Sequence, residues 1–408
     1  MVRMRQVLTA AAVAVTLAGC TTTVSGSVAQ KTEAAQGGVD VALLDPGNFP
    51  TKPQPPLGNA GDPAKGAGLE ARRMAGNVLG PWEVDPSLVT GLGAVEDVGT
   101  LNVGDEAGAG DVVAAHNFVT GFSSYRADES GPGTGIPTKR RKSLRNVVLR
   151  FASPEDAAAA ATELADKGAS VKSSFSDEPT VYQPVPIPRY ADARGSAHNW
   201  EALGHWAVKS FLAHGPYVLY QYATSQDGAD AAAALIADAL DKQGPLIDQF
   251  QPTPVDQLAD LPIDPGGLLA RTLPRPADSQ LLYGAGGVYD AKGQLHFDGD
   301  PVRTKPIFDA AQLQWVAKGF TNVYQTPDAA AAKKIVDGFA GEMTDAQFGP
   351  AAAIKGLPEA KCLAQKGQNE AAFYCVAVAD RYAIEVSGSQ EPVVHQLVAA
   401  QYLMLTSK

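Results

Sequence analysis

Two stretches of this chain repeat one order of local signals, and that repetition constrains the fold more than any other feature. The first runs from Asn146-Val147-Val148-Leu149-Arg150-Phe151, a β-branched apolar segment, into Ser153-Pro154-Glu155-Asp156. The second runs from Asn322-Val323-Tyr324-Gln325 into Thr326-Pro327-Asp328. In each, Ser153 or Thr326 reads as an N-cap and proline takes the first helical position at no hydrogen-bonding cost. An acid in the first turn suits the helix dipole. Alanine-rich helices follow, ending near Gly168 and Gly338. A hairpin comes next: 205–211 with 217–222 around His214-Gly215-Pro216, and 371–378 with 382–386 around Asp380-Arg381. Ser225-Gln226-Asp227 and Ser389-Gln390-Glu391 then each open a last helix whose apolar residues recur at 3.6 spacing. A strand-helix-hairpin-helix unit buries one sheet face under its helices. The predicted class is therefore α+β, two similar units with antiparallel sheets. Trp206 falls opposite Tyr374 in this alignment and reads as core.

What precedes the units has a different character. Residues 1–19 read as a lipoprotein signal peptide: Arg3 and Arg5 form a positive start, and an apolar stretch follows from Val7 to Leu17. Leu17-Ala18-Gly19 then places small residues before Cys20. The apolar stretch is well short of the roughly 20 residues that span a bilayer. Cys20 is the expected lipid attachment point, and two acyl chains there suffice for stable membrane anchoring. Residues 20–59 are expected to be a lipidated flexible tether, because Pro46, Pro50, Pro53, Pro55 and Pro56 favour extended chain with little packing. The expected domains are 60–250 and 267–408, joined by a linker at 251–266. In the first, a helix is expected from Leu69 to Val78. In the second, Val288 to Phe297 reads as a hairpin turning at Asp290–Gly293. Cys362 and Cys375 flank a strand-turn-strand stretch and are expected to pair as a disulfide in an oxidising compartment. A catalytic cysteine would want a histidine beside it, and none is near in sequence.

Leu17-Ala18-Gly19-Cys20, Thr23-Val24-Ser25-Gly26-Ser27, Gly80-Pro81-Trp82-Glu83-Val84-Asp85-Pro86, Leu268-Leu269-Ala270-Arg271-Thr272-Leu273-Pro274 and Arg381-Tyr382-Ala383-Ile384-Glu385-Val386 together carry a resemblance. The chain resembles a family of mycobacterial and related actinobacterial cell-envelope lipoproteins. The resemblance implies a lipid-anchored location on the extracytoplasmic face of the cell membrane, and carries over no activity and no functional residue.

The sequence excludes several kinds of chemistry. With 33 Lys and Arg against 44 Asp and Glu, the charge is -11, and loss of Arg3 and Arg5 with the leader makes it -13. That balance does not suit a general nucleic-acid binder. No Gly-x-Ser-x-Gly is present, and the glycine runs 131–135 and 284–287 lack P-loop or Rossmann spacing. The six histidines contain no i, i+4 pair, and Asp298-Gly299-Asp300 beside Asp290 lacks the EF-hand pattern and reads as a solvated turn. No cofactor, metal or catalytic residue is assigned. Two features remain. Lys139, Arg140, Arg141, Lys142 and Arg145 form a basic cluster, read either as a contact for anionic head groups or polymers or as a solvated loop. His198, Trp200 and His205 gather imidazoles and an indole suited to lining a ligand pocket, with Trp200 the freer of the two nearby tryptophans. The expected function is non-enzymatic binding of a small ligand or envelope component. The alternatives are a protein–protein adaptor or structural envelope component, and a hydrolase with a dispersed site around Trp200, Glu201 and His205.

Overall fold

In a computed structural model of the chain, the described residues are 38–97, 109–128, 141–171, 178–276, 286–367 and 371–407. The N-terminal unit begins with helix α1 (Pro63–Met74) and strands β1 (Leu88–Thr90) and β2 (Gly93–Glu96). It continues through α2 (Ala109–Ala115), β3 (Phe118–Asp128), β4 (Lys142–Phe151) and α3 (Pro154–Gly168). The short strands β5 (Ser170–Val171), β6 (Thr180–Val181) and β7 (Gln183–Pro184) lead to β8 (Arg194–Trp200). The hairpin β9 (His205–His214) and β10 (Tyr217–Ser225) and helix α4 (Ala229–Ile247) complete the unit. The C-terminal unit runs β11 (Gly287–Asp290), α5 (Ala291–Leu295), α6 (Pro301–Ala311), β12 (Trp315–Lys318) and β13 (Asn322–Gln325). It then runs α7 (Ala329–Asp345), β14 (Gly349–Pro350), β15 (Lys361–Lys366), β16 (Ala371–Ala379), β17 (Tyr382–Gly388) and α8 (Glu391–Thr406).

Both main sheets are antiparallel and share one strand order. The first reads β3-β4-β10-β9-β8-β7, with β1 and β2 added beside β3. The second reads β12-β13-β17-β16-β15-β14, with β11 added beside β12. The expected α+β class and the two similar units are thus present, but helices cover both sheet faces rather than one. The reason lies in runs such as Val147-Val148-Leu149, which have no polar alternation and need cover on each side. Val147 and Leu149 pack with α2 and α3, while Leu144 and Val148 pack with α1 and α4. In the second unit Val316, Tyr324 and Val376 face α6 and α7, whereas Val323, Ala377 and Ile384 face α8.

Local signals set the helix starts, with corrections to the reading above. Ser153 caps α3 as expected, its Oγ accepting from Asp156 N at 3.1 Å. The cap of α7 is Asp328, not Thr326. Asp328 accepts from Ala331 N at 2.8 Å, while Thr326 Oγ1 is committed to the Asp328 and Arg381 carbonyls. Helix α1 begins six residues before Leu69, where Asp62 caps and Pro63 takes the first position. The stretch 288–297 is a strand and a helical turn rather than a hairpin, because Asp290 accepts from Gly293 N and caps α5. Turn and cap use the same side-chain chemistry, which is why the sequence pattern did not separate them.

The tether, expected to pack little, and the linker are both docked where described. Leu44 is buried in the α8 core, Asp40 N donates to Gly356 O and Gln54 N donates to Ala270 O. In the linker, Thr253 N donates to Glu70 Oε1 at 2.7 Å, and Arg150 reaches both Glu70 Oε1 and Thr253 O. Leu258 lies so close over α1 that a Cβ on Gly66 would fall 2.0 Å from its carbonyl oxygen. Proline lowers the entropy lost on docking such segments, since φ is already fixed.

A buried arginine pins the units together. Arg126 Nη1 donates to Val89 O (2.6 Å) and Asp298 O (2.8 Å), and Nη2 to Leu295 O (3.1 Å) and His296 O (2.8 Å). His296 lies between Trp82 and Phe122. Its Nε2–H donates to Ala75 O at 3.1 Å and its Nδ1 accepts from Ser124 Oγ at 2.8 Å, the pattern of a neutral imidazole. Burial agrees, driving its pKa down to about 3. The segment 295–298 is therefore rigidly held, and it leads directly into the cleft described next.

Candidate functional site

Strand alternation places a polar row beneath α6 and α7. Lys318 on β12, Asn322 on β13 and Glu385 on β17 are cross-strand neighbours in one line of the second sheet. Glu385 accepts at Oε2 from Tyr324 Oη (2.6 Å) and Asn322 Nδ2 (2.8 Å), and at Oε1 from Tyr374 Oη (2.9 Å). Burial, with the Glu385 charge alongside, raises both tyrosines well above their ordinary pKa. Lys318 is lowered by burial despite the neighbouring charges of Asp298 and Glu385.

Above this row lies a cleft of about 350 Å³, with Asp298 and Asp300 before and at the cap of α6, Glu342 and Asp345 on α7, and Tyr374 and Glu385 on the sheet. Phe339, Met343 and Ala346 supply the apolar part of its wall. Among the described residues, five carboxylates line it against a single cation, Arg303, which is spent on a salt bridge with Asp345. Asp298 takes Gln294 Nε2 at Oδ1 (2.9 Å), whereas its enclosed Oδ2 makes no hydrogen bond among the described residues. Burial raises Asp298 to about 7, against the pull of Lys318 and Gln294. Glu342 is also raised to about 7, by burial, while Thr304 Oγ1 sits 3.2 Å from its Oε1. Displaced carboxylates with a partnerless oxygen in a cleft are the features expected of a site that meets a ligand.

The geometry does not close on a metal. Among the described residues, the one group of three His, Cys, Asp or Glu ligand atoms converging within 4.8 Å is Cys362, Cys375 and His395. The two cysteines face each other across β15 and β16, Cα atoms 4.2 Å apart, and are joined as a disulfide. His395 on α8, a hairpin turn and a strand beyond Cys375, is the spatial neighbour that sequence distance concealed.

The residues singled out from sequence fall elsewhere. His198 and Trp200 on β8 and His205 at the start of β9 do gather. The His198 and Trp200 rings are 4.7 Å apart, Tyr182 lies 5.4 Å from His198, and Trp200 pairs across the strands with His205. All three are half-buried, and burial lowers the His205 pKa. Trp206, read as core, is instead exposed at 36 %, and Glu201 is exposed on a turn. The hairpin turns explain the error. Counted back from them, Trp206 corresponds to Ala371, and Tyr374 corresponds to Lys209. Of the basic cluster, Lys139 and Arg140 lie outside the described residues, as does Cys20. Arg141 is exposed, Lys142 pairs with Asp85, and Arg145 stacks over the Tyr125 ring.

Glu342 and Glu385 escaped the sequence reading, and Asp298 was read as part of a solvated turn. The available signal was an acid on a face otherwise apolar: Glu342 beside Phe339 and Met343, and Glu385 two residues from Ala383 on the same strand face.

Among the described residues, no helix is long and apolar enough to cross a membrane. No curated protein matches the chain. The extracellular domain of PknH from Mycobacterium tuberculosis is similar at 14% identity and a TM-score of 0.30, over 43% of this chain and 96% of that one. Family models described as the N-terminal and C-terminal parts of a domain of unknown function, DUF7373, match residues 57–263 and 268–408. The chain belongs to the DUF7373 family.

Proposed function

We propose that this is a lipoprotein of an actinobacterial envelope, anchored through Cys20 to the outer face of the cell membrane, that binds a small cationic ligand without transforming it. The observation that carries the reading is the enclosed, partnerless Oδ2 of Asp298 in a cleft it shares with Glu342 and Glu385. An excess of carboxylates in a small concave space favours a positive guest, and burial strengthens that attraction relative to water. The anchor rests on the Leu17-Ala18-Gly19-Cys20 motif. An acyl-chain carrier has no use for the five carboxylates that this cleft sets beside Phe339, Met343 and Ala346.

Calorimetric titration of the mature protein with calcium chloride, guanidinium chloride, butylamine and spermidine tests the binding. Saturable heat from at least one of these, lost in Glu342→Gln, is the expected result. No binding by any of the four, or equal binding by the variant, overturns the proposal.

A further inference from the structure

We infer that the guest is a primary ammonium compound with an apolar body, seated with its N–H groups toward Asp298 and Glu342. The inference rests on the acidic cleft being a cation site and narrows what that cation is.

Three features of the cleft point this way. First, the carboxylates are spread. No three of their oxygens converge within 4.8 Å, so a bare divalent ion would be held by too few ligands. An ammonium has three donors pointing in different directions and suits dispersed acceptors. Second, both oxygens of Glu385 are already taken by tyrosine hydroxyls and Asn322, so Glu385 supplies charge but no free acceptor. Of the two lining carboxylates that burial raises, Asp298 keeps Oδ2 as an acceptor and Glu342, with Oε1 shared with Thr304, keeps Oε2. Third, Phe339, Met343 and the Tyr374 ring form a wall that a hydrated inorganic ion does not use, whereas an alkyl or aryl body does.

The duplicated fold provides an independent indication. Six residues before the left-handed turn residue, β9 carries Lys209 where β16 carries Tyr374. Both point to the same side of their sheets, since Phe211 packs with α3 and Val376 with α7. Lys209 is fully buried, and its Nζ lies 4.0 Å from the centroid of the Tyr182 ring. The N-terminal unit thus holds an ammonium of its own at this level, against an aromatic face. In the C-terminal unit Tyr374 turns its hydroxyl to Glu385 instead, and the cleft opens beside it.

The test uses the full mature protein, titrated in parallel with n-pentylamine, 1-pentanol, tetramethylammonium chloride and calcium chloride. Pentylamine should bind saturably. Pentanol, which lacks the charge, and tetramethylammonium, which lacks N–H donors, should each bind about tenfold or more weakly. Asp298→Asn and Glu342→Gln should each weaken pentylamine about tenfold. Glu342 is half-buried on the cleft wall, so its variant keeps the test decisive if Asp298→Asn does not fold. Equal binding of pentanol, or pentylamine binding untouched in Glu342→Gln, overturns the inference. Calcium binding that is lost in Glu342→Gln, with no pentylamine binding, overturns it too, yet leaves the cation site standing. Silence from all four probes removes both.

Discussion

Replacing Asp298 with asparagine isolates the energetic cost of the enclosed carboxylate. In the fold Asp298 titrates near 7, and in an unfolded chain near its ordinary 3.8. The folded form therefore binds the proton more tightly. The stability from this group is complete in acid and is lost as pH rises through 7. Integrating that difference gives a loss of roughly 2.5 kcal/mol between pH 5 and pH 8, at about 1.36 kcal/mol per pH unit. Asparagine resembles the neutral acid at every pH and still offers Oδ1 to Gln294. Its stability relative to wild type should rise by that amount over the same interval. The comparison must be made against wild type at each pH because other groups titrate. His296, lowered to about 3, works in the opposite sense and gains stability from pH 3 to about 6.5. Glu342 works in the same sense as Asp298, with a smaller effect because water reaches it. Urea unfolding followed by tryptophan fluorescence at pH 5 and pH 8 supplies the four midpoints needed. Parallel pH profiles for the two proteins, or a variant that loses ground at pH 8, would refute the reasoning.

Other substitutions probe separate parts of the molecule. Arg126→Met leaves four carbonyl acceptors without their shared donor and should cost about 3 kcal/mol or more. Scanning calorimetry should then resolve two transitions, and one unshifted transition would contradict the role of the pin. The double variant Cys362→Ala/Cys375→Ala should lose about 2–3 kcal/mol in urea, since the bridge closes a short loop; an unchanged midpoint would show that the bridge contributes nothing. Cys20→Ser should move the protein from the detergent-rich to the aqueous phase of a Triton X-114 partition and abolish incorporation of a palmitate analogue. Retention of either property would remove the proposed anchor.

What the sequence revealed was local, and what it hid depended on register or on distance. The Ser153-Pro154 cap, the two hairpins and the closing helices are written in contiguous residues and appear in the structure. Trp206 was misplaced because the repeats were matched by composition, Trp against Tyr, when the turn sets the pairing. Gly215 and Asp380 share a left-handed φ, 53° and 54°, and counting from them aligns Lys209 with Tyr374. The cleft was hidden for another reason. Asp298, Glu342 and Glu385 come from a loop, a helix and a strand, and no short motif joins them. Each could be noticed only as a charge on a surface patterned for burial, and such charges are expensive enough to need a compensating partner.

The duplication clarifies why one unit carries the cleft. Beneath α3 of the N-terminal unit, Phe211 stacks on Tyr220 and Lys209 fills the adjoining level over Tyr182. Among the described residues, that level is filled by the unit's own side chains. The corresponding level of the C-terminal unit holds Tyr374 and Glu385, with Asp298 brought in from above by the segment that Arg126 clamps. The backbone carbonyl of Asp298 belongs to the junction between units, while its carboxylate belongs to the cleft. A guest that pairs with Oδ2 relieves the unsatisfied charge next to the pin, so occupancy and the packing of the two units share one short segment. The same peptide cannot be loosened to admit a larger ligand without loosening the junction. That coupling favours a small guest held in a fixed cleft over a lipid-sized one admitted by opening.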